Sequence, residues 1–246
     1  MRIAVIGGGN LGSALAKALV KKFDVVVTRR NPREIDYLKD LGCEVMKDNV
    51  EAVKKSNVVL ITVKKANVDE ILKEIPKDRI TISFVAGIKF NQLEKILKKP
   101  VKAMTMLSAE FGKGLSMYYS KLSDDENDIV ERVLSCFGEV MRGDERDVDN
   151  LTAFASSLAF IPKIYEAFVY SGLRLGYSHD VSKKIALQVL EGGVEMLKSY
   201  EPNEIVERIV TPGGTTIEGI FKFMENRVDF GIIDAISACA KKLEKI

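Results

Sequence analysis

Histidine is almost missing from this chain: His179 is the only one in 246 residues. Cysteine is scarce too, and Cys43, Cys136 and Cys239 stand far apart with no C-x-x-C pair. One imidazole and three scattered thiols leave too few ligands for a zinc site, and no metal is expected. The spacing also gives no disulfide framework or redox pair, so buried, inert thiols are expected. Glutamine occurs only at Gln92 and Gln188 while lysine and glutamate abound, a bias that fits a protein from a hot environment. Neither sign of charge dominates: 37 basic against 35 acidic residues leave +2. That balance offers no electrostatic reason for nucleic acid or a membrane surface as partner. No apolar run is long enough to span a bilayer. The opening "MRIAVIGGGN" lacks the layout of a signal peptide, and a cytoplasmic protein is expected.

What is present is an ordinary globular composition, 46% hydrophobic and 29% charged, in a length that suits one large or two modest domains. "RIAVI", residues 2–6, is a short apolar run of the kind found in buried parallel strands. Next comes "GGGNLGSALAKALVKK", in which Leu11, Leu15, Ala18 and Leu19 recur at helical spacing, and then a second strand, "DVVVT", residues 24–28. Gly7, Gly9 and Gly12 make G-x-G-x-x-G between strand and helix. Gly7 permits the tight turn, Gly9 lets the backbone approach a pyrophosphate, and Gly12 lets helix and strand pack closely. Asn10 and Leu11 open the helix and join these glycines as candidate dinucleotide-binding residues. The bland alternative is a glycine-rich turn with no ligand.

The end of the second strand selects the dinucleotide. NAD sites usually carry an acidic residue there for the ribose 2′-OH. This chain has Thr28-Arg29-Arg30-Asn31, two guanidinium groups and a hydroxyl suited to a 2′-phosphate. NADP(H) is therefore expected in preference to NAD(H); the alternative is a solvated basic turn. Strands at 57–63, 79–87, 101–107 and 114–120 and a short "EVM", residues 139–141, alternate with helices, which predicts βαβ units with parallel strands throughout. Ligands of such sheets bind at the strands' carboxyl ends, where Lys64, Lys65 and Gly87 fall.

Strand signals stop near Asp147. Residues 1–147 read as an α/β Rossmann-type domain and residues 148–246 as an all-α domain. A helix over 148–175 is mostly apolar, its small residues Ala155, Ser156, Ser157 and Ala159 are expected to allow close helix contact, and Pro162 is expected to kink it. So apolar a helix must be buried, which points to a homodimer or higher homo-oligomer built by the C-terminal helices. Ser178 or Asp180 caps the next helix, with His179 in that turn, and Pro202 opens another.

"IVTPGGTTIEG", residues 209–219, sets Pro-Gly-Gly-Thr-Thr directly before a helix. It reads either as a capped helix–helix turn or as an anion grip, in which Gly213 and Gly214 bring backbone N–H groups close to a ligand.

Taken together, the Rossmann half, the helical half and V-T-P-G-G-T-T-I make the chain resemble the pyrroline-5-carboxylate reductase family over nearly its whole length. Gly7, Gly9 and Gly12 match the family's cofactor loop. "ITVKK" matches its V-K-P segment through Val63 and Lys64, with Lys65 in place of proline. "FVAGIKFNQLEKIL" resembles its A-A-G-V segment, and "TPGGTT" its S-P-G-G-T-T. Two segments depart: Met104-Thr105-Met106-Leu107-Ser108 stands for M-P-N-T-P, and Ala155-Ser156-Ser157-Leu158-Ala159 for S-G-S-G-P-A. The resemblance implies hydride addition from NADPH to the C=N carbon of an imino acid, yielding proline. It implies Thr211, Gly213, Gly214 and Thr215 as holders of the substrate carboxylate, Thr216 as hydrogen-bond partner of the ring nitrogen, and Lys64 as an orienting charge. Three readings compete with it: a reductase of another imine, a deazaflavin-linked NADP oxidoreductase, and a non-catalytic NADP-binding module.

Overall fold

A computed structural model describes residues 1–245. Its first compact unit comprises Met1–Ala155 and the stretch from Cys239. Eight strands form one sheet: β1 (Arg2–Ile6), β2 (Asp24–Thr28), β3 (Glu44–Met46), β4 (Val58–Ile61), β5 (Ile80–Ser83), β6 (Lys99–Thr105), β7 (Gly114–Ser120) and β8 (Gly138–Arg142), in the order β3-β2-β1-β4-β5-β6-β7-β8. Helices α1 (Asn10–Leu19), α2 (Asn49–Lys54), α3 (Val68–Glu74), α4 (Phe90–Glu94), α5 (Asp124–Leu134) and α6 (Glu145–Ala155) cover it. Strand β1 shows why its sequence is apolar without alternation. Ile3 and Val5 enter the core under α1, while Ala4 and Ile6 enter the core on the opposite face.

The sheet is not parallel throughout. β6 pairs with β7 antiparallel, and β8 then runs parallel to β7. Residues 106–113 between β6 and β7 hold only a short 3₁₀ turn, Leu107–Phe111, and a parallel return would need a full crossover helix. Strand β3 has no counterpart in the sequence reading, because its three residues display no period and, unlike the "EVM" at 139–141, they follow a 3₁₀ turn, Pro32–Leu38, and not an amphipathic helix.

The apolar segment beyond 147 is not one helix. α6 ends at Ala155, a 3₁₀ turn covers Ser156–Phe160, and α7 (Ile161–Arg174) restarts with Pro162 in its first turn. Proline there initiates a helix instead of kinking one. Nor does the first unit end at 147. Val148 and Leu151 pack with Met104, and the Lys102 ammonium meets Asp149 Oδ1 at 2.7 Å and Glu145 Oε1 at 3.0 Å. Helix α6 is thereby bound to the sheet.

The second unit, Ser156–Ala238, holds α7, α8 (His179–Leu197), α9 (Pro202–Ile209), α10 (Thr215–Glu225) and most of α11 (Val228–Leu243). The Ser178 hydroxyl caps α8 by accepting the Val181 N–H. α7 and α8 approach closely at Gly172, where a Cβ would lie 2.8 Å from Ser182 Cβ. Ser156 and Ser157, expected to allow such an approach, lie instead in the 3₁₀ turn. Large apolar side chains stay exposed along these helices, among them Leu175 at 78% and Phe221 at 62%. No helix among the described residues is long and apolar enough to cross a membrane.

Candidate active site

In the first unit the strand order changes direction between β1 and β4, which pair in register at Ile6 and Ile61. The carboxyl ends of these two strands frame the crevice where such sheets bind ligands. The glycine loop fills the end of β1. Gly7 takes φ +107°, open to glycine at little cost. The N–H groups of Gly7 and Gly8 both donate to the Thr28 carbonyl, at 3.2 and 2.7 Å, tying the loop to β2. A Cβ on Gly12 would sit 2.1 Å from the Gly7 carbonyl oxygen, so a side chain there is excluded. A Cβ on Gly9 would meet nothing within 4 Å, so the space above that residue is open. Gly9 is the N-cap of α1 and no side chain caps the helix. The first-turn N–H groups, including those of Asn10, Leu11 and Gly12, have no partner within the helix and face that space.

Strand β4 holds the loop from the other side. Thr62 donates from its hydroxyl to the Gly7 carbonyl at 2.7 Å, and Val63 packs where a Cβ on Gly7 would be. Lys64 follows, exposed and without an ion pair among the described residues. Thr28 is buried, and its contribution to the loop is its carbonyl. Arg29 Nη1 donates to the Gly8 carbonyl at 2.5 Å, and Nη2 pairs with Glu34. Arg30 Nη2 donates to Asn67 Oδ1 at 2.9 Å, beyond the end of β4. Thr62, Glu34 and Asn67 escaped the sequence reading, since no motif marks them.

A cavity of about 330 Å³ borders the loop, lined by Gly9, Asn10, Arg29, Glu34, Tyr37 and Glu110 among others. Its lysine, Lys17, hydrogen-bonds Glu110 at 2.6 Å, and that bond holds the ammonium above its ordinary pKa. A larger cavity, about 570 Å³, lies beyond β5 beside Gly87 and Lys89. There Lys89 is already paired with Asp149 at 3.1 Å. Among the described residues no group of three or more His, Cys, Asp or Glu side chains converges on a point.

The second unit carries the Pro-Gly-Gly stretch. Gly213 takes φ +69° and the Gly214 N–H donates to the Thr211 carbonyl at 2.9 Å, closing a turn. Gly214 is the N-cap of the 11-residue α10, and again no side chain caps the helix. The turn therefore leaves the first N–H groups of α10 open, beside the exposed Thr211, Thr215 and Thr216. A Cβ on Gly214 would lie 2.4 Å from Thr211 Oγ1. The two glycines thus serve different needs: Gly213 supplies a backbone angle, and Gly214 supplies room.

Comparison with known proteins gives two family matches. Residues 2–87 match the model described as NADP oxidoreductase, coenzyme F420-dependent, and residues 145–246 the one described as pyrroline-5-carboxylate reductase dimerisation. Pyrroline-5-carboxylate reductase of Aquifex aeolicus is 31% identical over 259 residues, covering 100% of this chain and 97% of that protein. The enzyme of the same name from Corynebacterium melassecola is 30% identical, with 99% and 98% covered. The crystal structure of Plasmodium falciparum pyrroline carboxylate reductase with NADP bound has the same fold, with a TM-score of 0.89 at 22% identity, covering 100% of this chain and 97% of that one. The deazaflavin-linked likeness stops at residue 87, whereas these relatives span both halves. The chain belongs to the pyrroline-5-carboxylate reductase family.

Proposed function

We propose that this chain reduces 1-pyrroline-5-carboxylate to L-proline with NADPH as preferred cofactor. The observation that carries the reading is the uncapped start of α10 behind Gly213 and Gly214, a backbone cradle suited to a carboxylate. In this reading the N–H groups at Thr215 and Thr216 and the Thr211 and Thr215 hydroxyls hold the substrate carboxylate, and the Thr216 hydroxyl meets the ring nitrogen. The open space at Gly9 and the uncapped α1 fit a dinucleotide pyrophosphate, held by N–H groups of Asn10, Leu11 and Gly12. The basic end of β2 supports NADP(H) over NAD(H). What the dinucleotide supplies when bound is a hydride for the C=N carbon. The residues' task is then mainly to position the imine, since a protonated C=N accepts hydride readily. Lys64, exposed and without an ion pair among the described residues, orients charge at the end of β4.

The apolar surface of the second unit supports a homodimer or larger homo-oligomer through these helices. Purified protein should oxidise NADPH only when pyrroline-5-carboxylate is added, with proline as product, and should sediment as a dimer or larger at micromolar concentration. Tight NADPH binding with no imine-dependent oxidation would refute the assigned reaction.

A further inference from the structure

We infer that the two adjacent arginines at the end of β2 have separate tasks: Arg30 reads the 2′-phosphate, whereas Arg29, braced by Glu34, is a positioning residue that latches the glycine loop. This rests on the reading that NADP(H) is the cofactor. The backbone explains the division. Arg29 still belongs to the sheet, since its N–H donates to the Met46 carbonyl at 3.1 Å and extends the β2–β3 ladder. Successive residues of extended chain point to opposite faces. Arg29 accordingly turns toward the cavity beside Gly9 and Asn10, and Arg30 toward Asn67.

On its side Arg29 is fully engaged. One guanidinium nitrogen donates to the Gly8 carbonyl at 2.5 Å and the other pairs with Glu34. The Glu34 carboxylate, itself held by the Asn31 side-chain amide at 3.0 Å, balances the Arg29 charge. A phosphate recruiting Arg29 would have to displace that carboxylate and free the loop carbonyl. Arg30 has no such competitor. Its partner is a neutral amide, so its full positive charge remains for an anion. Since β1 lies between β2 and β4, the Arg30–Asn67 bond bridges past the end of β1. Arg30 therefore stands on the rim of the crevice above the glycine loop.

The test compares NADPH and NADH dissociation constants, titrated without substrate. Arg30→Ala should weaken NADPH about 10- to 100-fold, the worth of a charge-assisted hydrogen bond, and leave NADH within about twofold. Arg30→Lys should recover part of the loss, because a phosphate accepts a point charge. Arg29→Ala should weaken both dinucleotides by a similar factor, about 3- to 10-fold, leaving their ratio as in the parent. Arg29→Lys should not rescue, because one ammonium cannot hold Gly8 and Glu34 as a planar fork does. If Arg29→Ala abolishes the NADPH preference, or Arg30→Ala leaves it intact, the division of tasks is wrong. A parent without any NADPH preference refutes the cofactor reading, while a matching loss of NADH affinity in Arg29→Ala would still uphold the latch.

Discussion

Thr62 and Gly7 lie 55 residues apart in the chain, and the Thr62 hydroxyl donates to the Gly7 carbonyl at 2.7 Å. This bond fixes the carboxyl end of β4 to the turn that ends β1. Gly12 completes the contact, because its missing Cβ would stand 2.6 Å from Thr62 Oγ1 and 2.1 Å from the Gly7 oxygen. Thr62→Val keeps the shape and removes the donor. It should cost only ~0.5–1.5 kcal/mol of stability, the net value of one hydrogen bond, because the Gly7 carbonyl still accepts the Gly9 N–H at 2.7 Å, and should weaken NADPH and NADH alike. Gly12→Ala should be far more severe, since backbone must move, and should abolish dinucleotide binding. Thermal unfolding with NADPH titration checks both; unchanged affinity in Gly12→Ala would mean the loop tolerates rearrangement and is not the cradle proposed.

Lys102 is buried to 3% side-chain exposure on β6, facing two carboxylates of α6. Glu145 Oε1 also accepts the Phe90 N–H at 2.8 Å, so three segments share one charge network. Removing one partner of a buried ion pair strands the other charges, at a cost of ~3–5 kcal/mol. Lys102→Ala should fall at the low end of that range, because Asp149 keeps Lys89 and both carboxylates reach water. Denaturant unfolding measures this. A change near zero would show that α6 is held without Lys102, by Val148 and Leu151 and the remaining contacts to Phe90 and Lys89.

The sequence displayed what is local. Strands β1 and β2 and the glycines between them were legible because strand, turn and helix follow within one short stretch. Strand direction was not, because the antiparallel step at β7 is encoded only in the brevity of residues 106–113. The unbroken helix expected over 148–175 failed at Ser156–Phe160, where hydrophobicity continues but the α-helical hydrogen bonding does not. In the candidate site the glycines were visible from their spacing. Thr62 and Asn67 were not, since their partners Gly7 and Arg30 lie 55 and 37 residues away. Glu34 was close in sequence to Arg29, yet an acidic residue five positions on gives no sign that it pairs backward.

Cys43 lies in the core at 5% exposure, and burial pushes its thiol from an ordinary 9.0 up to about 11. A raised folded-state pKa contributes stability that is complete below the unfolded value and disappears as pH rises through the folded one. Between these values the unfolded chain releases the proton and the folded chain keeps it. Two pKa units correspond to ~2–3 kcal/mol lost across that window. Cys43→Ala should be less stable than the parent near neutrality, through lost packing, but should lack this slope. The stability gap should therefore narrow as pH climbs from 9.0 to about 11. A gap that stays constant over the window would contradict burial as the cause.

The turn before α10 separates two glycine requirements, and so makes two different mutants informative. Gly213 has φ +69° with nothing within 4 Å of a Cβ, so Gly213→Ala meets only backbone strain, about 1 kcal/mol. Gly214 has ordinary angles, but a Cβ there would press on Thr211 Oγ1 at 2.4 Å and the Thr211 carbonyl at 3.0 Å. Gly214→Val should therefore push Thr211 aside and cover the open N–H groups of α10. If those groups hold the substrate carboxylate, turnover of pyrroline-5-carboxylate should collapse in Gly214→Val and decline mildly in Gly213→Ala, with NADPH affinity unchanged in both. Thr216→Ala leaves the turn intact and removes one hydroxyl, so kcat/KM should fall about 10- to 100-fold, the value of a hydrogen bond to a charged group. Steady-state kinetics beside NADPH titration resolves the pattern. Full activity in Gly214→Val and Thr216→Ala would reduce the stretch to a helix–helix turn and send the search for the carboxylate site elsewhere.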